Sequence, residues 1–467
     1  MNTYRFEKEI PAEDGYDLVV AGGGPGGISA AVCAARLGAK VLLVEAAGCL
    51  GGMGTSGLVC AFDPMADGER MLTEGFMREL VETMYERGYM GPAVHPVGWQ
   101  KVANIWTHFS AEGLKLVLDE LAVSAGVEVR FFTKVVDAQM GQEPGTVDGV
   151  VLHNIEGYRY VRAKTFIDAT GDAVLSLLAG AQVRIAGTDS PHIMPSSLPA
   201  LFANVEWDED MLFTQSPEVV ELIEQEYEQG NLLQCDRHLV GMSPIGDTLG
   251  YLNGGHLFGL RSHNVRDVSD GMMLGRKIAR DNERFLKKYA PNCEKIELAA
   301  TASVMGVRES ARILGEYELT FADYAQRRQF PDQIGVFNKF IDIHPYDCSR
   351  EEYDRFVGEV FAAERLKTGE CFGIPYGILV PKGFKNLWVA GRCNSSDVKV
   401  HGSIRVMPAC VMMGQAAGTA AVQSVRSGQP ACALDTRQLV ETLREHGAYL
   451  PQEDLSETMT RTAVPSA

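Results

Sequence analysis

Residues 16–45 pass from an apolar run, YDLVVA, through GGGPGG into a stretch where Ile28, Ala31, Val32 and Ala35 recur at helical spacing. They end in a second apolar run, KVLLVE. This order predicts strand, tight turn, helix and strand. Further on, Leu114, Val117, Leu118 and Leu121 fall at i, i+3, i+4 and i+7 behind Ser110, a residue type that caps helix N-termini. Residues 110–125 therefore read as a helix, with a strand at Val127–Phe132. Between Thr133 and Ala163 short β-type runs alternate with the turn formers EPGTVDG and NIEG, which predicts a small antiparallel meander returning to the sheet at TFIDATGD. From about Ile185 to Phe340 glycine turns thin out and helical stretches such as Met272–Tyr289 appear. Strand character returns in NLWVAGR, Asn386–Arg392, ahead of a long Ala/Gly-rich helix. The expected organisation is a discontinuous first domain, residues 1–184 and 341–467, with residues 185–340 inserted as a substrate or cap domain.

Composition narrows the function classes. A chain of 467 residues, 46% of them hydrophobic, can bury a large core. A formal net charge of −18 argues against a nucleic-acid backbone or an anionic membrane as the main partner. The 10 cysteines include no CxxC and no regular spacing, so neither a disulfide framework nor a zinc or iron–sulfur cluster is indicated, no metal is expected, and a reducing cytoplasm fits best. Two uncharged stretches, Leu18–Ala35 and Val406–Val425, have the length of membrane spans. The first is broken by five glycines and a proline and the second carries Pro408, Gln415, Thr419 and Gln423, so both read as buried segments. The N-terminal MNTYRFEKEIPAEDG has no apolar signal-peptide core.

The first unit carries chemistry. Gly22 lets the chain turn out of the strand, Gly24 lets the backbone approach a pyrophosphate, and Gly27 lets the helix pack closely on the sheet, with Pro25 and Gly26 between them. The helix N-terminus offers unpaired N–H groups to phosphates. Glu45, at the end of the second strand, can accept from a ribose diol and would repel a 2′-phosphate, which disfavours NADP and leaves FAD and NAD. The glycine-rich CLGGMGTSG, Cys49–Gly57, reads as a loop able to lie against a flat ligand.

Three separated blocks, GGGPGG with Glu45, IDATGD (Ile167–Asp172) and NLWVAGRC…HGSIRVMPACVMMGQAAGTAA (Asn386–Ala421), together resemble FAD-dependent oxidoreductases of the glutathione-reductase structural class. Within it the chain is most similar to the FAD-dependent oxidoreductase family distantly related to fumarate-reductase flavoproteins. LGGMGT, GVRESARILGEYELT (Gly306–Thr320) and FIDIHP (Phe340–Pro345) add to the match. The resemblance implies an α/β fold: a Rossmann-like FAD-binding domain with a β-meander and an inserted α+β cap domain. It also implies that Gly51, Gly52, Met53, Thr55 and Ser56 run beside the flavin ring, that the Val135 backbone meets adenine, and that Ala169, Gly171 and Asp172 lie near the pyrophosphate. Gly391 and Arg392 would close the site, and Arg405, Val406 and Met407 would bring the last helix to the flavin pyrimidine edge. A single nucleotide motif and the lack of a redox CxxC exclude a pyridine-nucleotide disulfide reductase, so electrons come from the substrate, a transient donor or acceptor, or a partner protein.

Hydride exchange with a flavin needs a group to move a proton and groups to hold substrate oxygens. His401 is the first choice for the proton, or else it caps and orients its loop. His344 is a second acid–base or substrate-binding candidate, or else a satisfied interior histidine. Arg405 could hold an anionic or hydroxylated substrate, or pair with an internal acid. Arg308 and Arg312, at i and i+4 on one face of an expected helix, could grip a carboxylate, or form an ion-pair face with Glu309 and Glu316. Cys393 reads as packing, and nothing supports covalent flavin attachment at Cys49. The expected function is FAD-dependent hydride exchange with a small hydroxylated, sugar-like or carboxylated substrate, in either direction, without nucleic-acid or membrane partners. A homo-oligomer and an external electron donor or acceptor both fit. The alternatives are an NAD-binding, non-flavin enzyme of the thiazole-synthase kind and an electron-relay flavoprotein subunit.

Overall fold

A computed structural model describes residues 3–207, 216–239, 241–361 and 365–451. The first unit forms as its pattern requires. Strand β1 (Ala12–Ala21) leads through the glycine turn into α1 (Pro25–Arg36) and β2 (Val41–Val44). Helix α2 (Ala111–Ala125) starts at Ser110, whose hydroxyl accepts from the Gly113 N–H, and stops at Gly126, which takes the left-handed conformation that ends helices. It is followed by β3, shorter than expected at Glu128–Arg130, and then by the meander strands β4 (Lys134–Met140), β5 (Val147–Asn154) and β6 (Gly157–Asp168).

These strands make one sheet in the order β3-β2-β1-β6-β5-β4. Strands β3, β2, β1 and β6 run parallel, and β6 turns back through β5 to β4 in antiparallel pairing. The central strands are buried on both faces and read as continuous apolar runs, as parallel strands covered by helices do.

A second sheet follows from β7 (Ala200–Ala203), β8 (Ser243–Pro244), β9 (Gly250–Leu252) and β10 (Glu297–Thr301), in the order β8-β9-β7-β10. Helices α3 (Pro217–Glu228) and α4 (Val265–Tyr289) pack on it around an apolar cluster that includes Phe202, Val219, Ile223, Phe285 and Leu286. The chain rejoins the first sheet at β11 (Leu387–Val389), which pairs in parallel with β6. Leu319, Tyr324, Phe330, Ile334 and Phe337 lie in the stretch that the sequence pattern assigns to the insertion, yet they belong to the large core under the first sheet.

The Ala/Gly-rich segment folds as a short α5 (Val398–Ile404) and the long α6 (Met407–Ser427). Small residues let α6 lie directly on α1. A Cβ on Gly414 would sit 2.1 Å from the Gly26 carbonyl oxygen, and one on Gly418 would sit 2.3 Å from that of Ala30. Ser29 Oγ locks the pair by donating to the Val411 carbonyl at 2.7 Å. Among the described residues no helix is long and apolar enough to cross a membrane.

Candidate active site

One cavity of about 1050 Å³ runs from the glycine turn, past the start of α6, to the second sheet. Two uncapped helix N-termini border it. Helix α1 starts at Gly24 and α6 at Val406, each with a proline in its first turn and neither with a side chain satisfying its first N–H groups. Free amides and the positive end of the helix dipole suit phosphate at the first and a polarised ring edge at the second.

The glycines divide into supports and cradle. A Cβ on Gly22, where φ is +96°, would sit 2.6 Å from the Ala169 carbonyl oxygen, and one on Gly27 would sit 1.8 Å from that of Gly22. Both positions demand glycine for the turn itself. At Gly24 a Cβ meets nothing within 4 Å, so this backbone faces open space that a ligand can approach. Glu45 lines the cavity while its carboxylate accepts from the N–H groups of Gly23 at 2.6 Å and Ala47 at 2.7 Å. The IDATGD turn is held from inside by buried Asp168, which accepts from Thr170 Oγ1 at 2.7 Å and from the Ser176 N–H and hydroxyl at 2.8 Å. Arg392 bridges this turn to β11 by donating from Nε to the Gly171 carbonyl at 2.9 Å and from Nη2 to Asp172.

Most of the residues expected at a cofactor line this one cavity: Gly22, Gly24, Pro25, Gly26, Glu45, Gly52, Met53, Ser56, Val135, Ala169, Gly171, Asp172, Gly391, Arg392, Arg405, Val406 and Met407. Three stand behind the wall. Gly27 packs α1 on the sheet, the Gly51 N–H donates to the Gly23 carbonyl at 2.8 Å, and Thr55 Oγ1 donates to the Leu50 carbonyl at 2.6 Å.

Of the proton and substrate candidates, His344, Arg308 and Arg405 reach the cavity and His401 does not. The His401 ring is 0% exposed inside α5, and its Nε2 donates to the Arg308 carbonyl at 3.1 Å. Burial and neighbouring arginines hold its pKa well below the ordinary histidine value. The expectation that it handles the proton is therefore corrected: it braces the backbone of Arg308. Residues 308–312 also form no helix. Ala311–Ile313 is a strand paired with Val183–Ile185, which the i, i+4 spacing of the arginines does not reveal. Arg312 is held by Asp189 at 2.7 Å and Glu309 at 3.6 Å, away from the cavity.

Arg308 is different. It is 6% exposed, donates to the Pro195 carbonyl at 2.7 Å, and has no carboxylate within 4 Å among the described residues. Burial pulls its pKa down to about 10, which still leaves it a cation near neutrality. Arg405 is paired with Asp342 at 3.2 Å. Sequence reasoning missed Asp63, which lines the same wall after the GMGTSG loop. Its Oδ2 accepts from Lys339 Nζ at 2.5 Å, its Oδ1 is buried without a partner, and burial raises its pKa. An acid beside a proline in an apolar run, CAFDP, was the available signal. Cys393 is fully buried as packing, and Cys49 contacts Ser56 Oγ at 3.2 Å.

The family model described as "FAD dependent oxidoreductase" matches residues 17–443. A curated relative, dihydrolipoyl dehydrogenase of Trypanosoma brucei brucei, is 53% identical over 47 residues, which span 10% of this chain and 10% of that protein. Similar solved structures include a geranylgeranyl bacteriochlorophyll reductase-like protein from Thermoplasma acidophilum, 15% identical, with a TM-score of 0.49 over 94% of this chain and 85% of the other. They also include a flavin-dependent brominase, 15% identical, with a TM-score of 0.47 over 93% of this chain and 83% of the other.

Proposed function

Since the chain belongs to the family of FAD-dependent oxidoreductases, we propose that it exchanges a hydride between its flavin and a small oxygenated substrate carrying an anionic group, a hydroxy acid or its oxidised counterpart. The NAD-binding, non-flavin alternative falls away with the family. The residues present fit FAD: the open face at Gly24, the acid at Glu45 and the two uncapped helix starts line one continuous space. When bound, the flavin supplies the hydride acceptor or donor.

The observation that carries the substrate reading is Arg308. A guanidinium buried in a cavity wall with no carboxylate in contact is costly, and an anionic oxygen entering the cavity lowers that cost. Arginine presents a planar fork that matches a carboxylate. Arg405, already held by Asp342, adds a second cation to the same wall. Asp63 is the group proposed to take and return the proton: burial raises its pKa, one oxygen is unpaired, and Lys339 fixes the other. His344 borders the same space, with Nε2 3.5 Å from Oδ1 of Asp342, the acid that holds Arg405. With one nucleotide site, electrons from or to a second reactant pass through an external donor or acceptor.

The test is anaerobic. The oxidised flavoprotein is mixed with hydroxy acids and with neutral polyols of similar size, and loss of flavin absorbance is followed; the reduced protein is mixed with keto and unsaturated acids. Acids are expected to react and neutral analogues to react poorly. Arg308→Gln should raise KM for the acid by about 10²-fold, the order expected when a charged hydrogen bond to substrate is removed. Equal reaction with neutral polyols, together with an unchanged KM in Arg308→Gln, would sink the anionic-substrate reading.

A further inference from the structure

His238, His256 and His344 come from three separate segments and meet at the cavity wall. Their ring centres form a nearly equilateral triangle, with sides of 5.4 Å, 5.4 Å and 5.0 Å. Imidazoles bound to one tetrahedral metal at about 2.0–2.1 Å have ring centres about 5.2 Å apart. The candidate ligand nitrogens all lie within 4.8 Å of one another, and the rings are buried except where His238 and His344 border the cavity.

The outer partners point the same way. His256 Nδ1 is 3.1 Å from both carboxylate oxygens of Asp236, and His344 Nε2 is 3.5 Å from Asp342 Oδ1. Asp236 is itself fixed by the backbone N–H groups of His256 at 2.8 Å and His238 at 3.2 Å. A carboxylate accepts the proton on the outer nitrogen of a metal-binding histidine and sets its tautomer. His256 Nε2 and His344 Nδ1 face each other at 2.8 Å. One shared proton accounts for that pair, and the His238 ring converges on the same point.

We infer that His238, His256 and His344 bind a divalent transition-metal ion of the zinc class, with its open position toward the cavity. Any proton shared by the facing nitrogens leaves to solvent on binding, and that contact opens by about half an ångström to reach tetrahedral spacing. The open position would hold a substrate oxygen across from Arg308. Metal binding stands independently of the hydride-exchange reading, whereas this use of the metal rests on it. No local spacing advertises the site, because its ligands are scattered along the chain, which is why cysteine spacing indicated no metal.

The experiment uses the full chain with its flavin, stripped with a chelator and titrated with ZnCl₂ by calorimetry, with bound zinc measured by elemental analysis after gel filtration. One equivalent is expected for the wild type. Asp236→Asn, which keeps the side-chain volume, should bind about tenfold more weakly, and His256→Phe should retain flavin and lose the zinc. A wild type that takes up no zinc, or an Asp236→Asn protein and a flavin-retaining His256→Phe protein that both bind as tightly as the wild type, would overturn the site. Should His256→Phe fail to fold, the wild type and Asp236→Asn decide. Zinc uptake without flavin bleaching by any acid would leave the metal site standing and remove the hydride-exchange reading; bleaching without zinc uptake would do the reverse.

Discussion

At the scale of single residues, position in the wall separates the cavity groups from their neighbours more sharply than residue type does. His401 and His344 are both histidines within family-like blocks, yet seven residues of helix turn one inward to a carbonyl while a stretch outside any helix or strand carries the other to the cavity. A sequence shows the block and not the rotation of a short helix, so the place of Arg308, Arg405 and His344 beside the cavity was legible and the inward turn of His401 was not. Asp63 was not legible either, because its significance lies in a partner distant in sequence, Lys339, and in an orphaned oxygen. Its role makes a signed prediction. Burial raises the Asp63 pKa, so the folded protein holds that proton more tightly than the unfolded chain does, and the ionised form costs stability as pH rises above the ordinary carboxylate range. In oxidation of a hydroxy acid the ionised form is the base, so kcat/KM should climb with pH through a displaced acid limb; in the reductive direction it should fall. Asp63→Asn should keep its flavin, lose about 10²–10⁴-fold in kcat, and lose that limb. An Asp63→Asn enzyme with the wild-type pH profile removes Asp63 from the reaction.

At the scale of elements, the cradle depends on how closely two helices approach. The glycine turn, α1 and the capped α2 were legible because local spacing and capping chemistry specify them. The extended run at 308–313 was not: an i, i+4 pair of arginines suits a helix, but pairing with Val183–Ile185 overrides it. The packing of α6 on α1 sets the distance between the two uncapped N-termini, and two glycine substitutions separate packing from binding. Gly414→Ala places a methyl 2.1 Å from the Gly26 carbonyl oxygen. It should cost about 1–3 kcal/mol by overpacking and lower both thermal stability and flavin content. Gly24→Ala meets no protein atom within 4 Å. The flavin-free form should therefore melt near the wild-type temperature while FAD affinity drops. Paired measurements of melting temperature and flavin-to-protein ratio check both; a Gly24→Ala protein with wild-type FAD affinity would mean that the open face is not where the cofactor approaches.

At the scale of the whole molecule, the cavity is the place where distant parts of the chain depend on one another. Its wall runs from Ala21 to Cys410 and takes Ser197, Tyr251 and Arg308 from in and around the second sheet. The return of the chain to the first sheet was legible in NLWVAGR, and β11 pairs there with β6. The extent of the large core was less so, because Leu319 through Phe337 join it by packing that no local signal announces. A ligand filling such a space binds only when the parts are assembled, so FAD should act as a structural clamp. A ligand that binds the folded state alone adds about 2.7 kcal/mol of stability at a free concentration a hundredfold above its Kd. Scanning calorimetry of the protein stripped of flavin and then given excess FAD should show a lower melting temperature without it and recovery with it. The clamp also predicts the shape of the transition. The second sheet has its own apolar cluster, so without FAD its unfolding should begin below that of the large core, and with FAD the two should merge into a sharper single step. Identical traces with and without FAD would mean that the wall is already locked by packing alone and that the cofactor is a passenger in it.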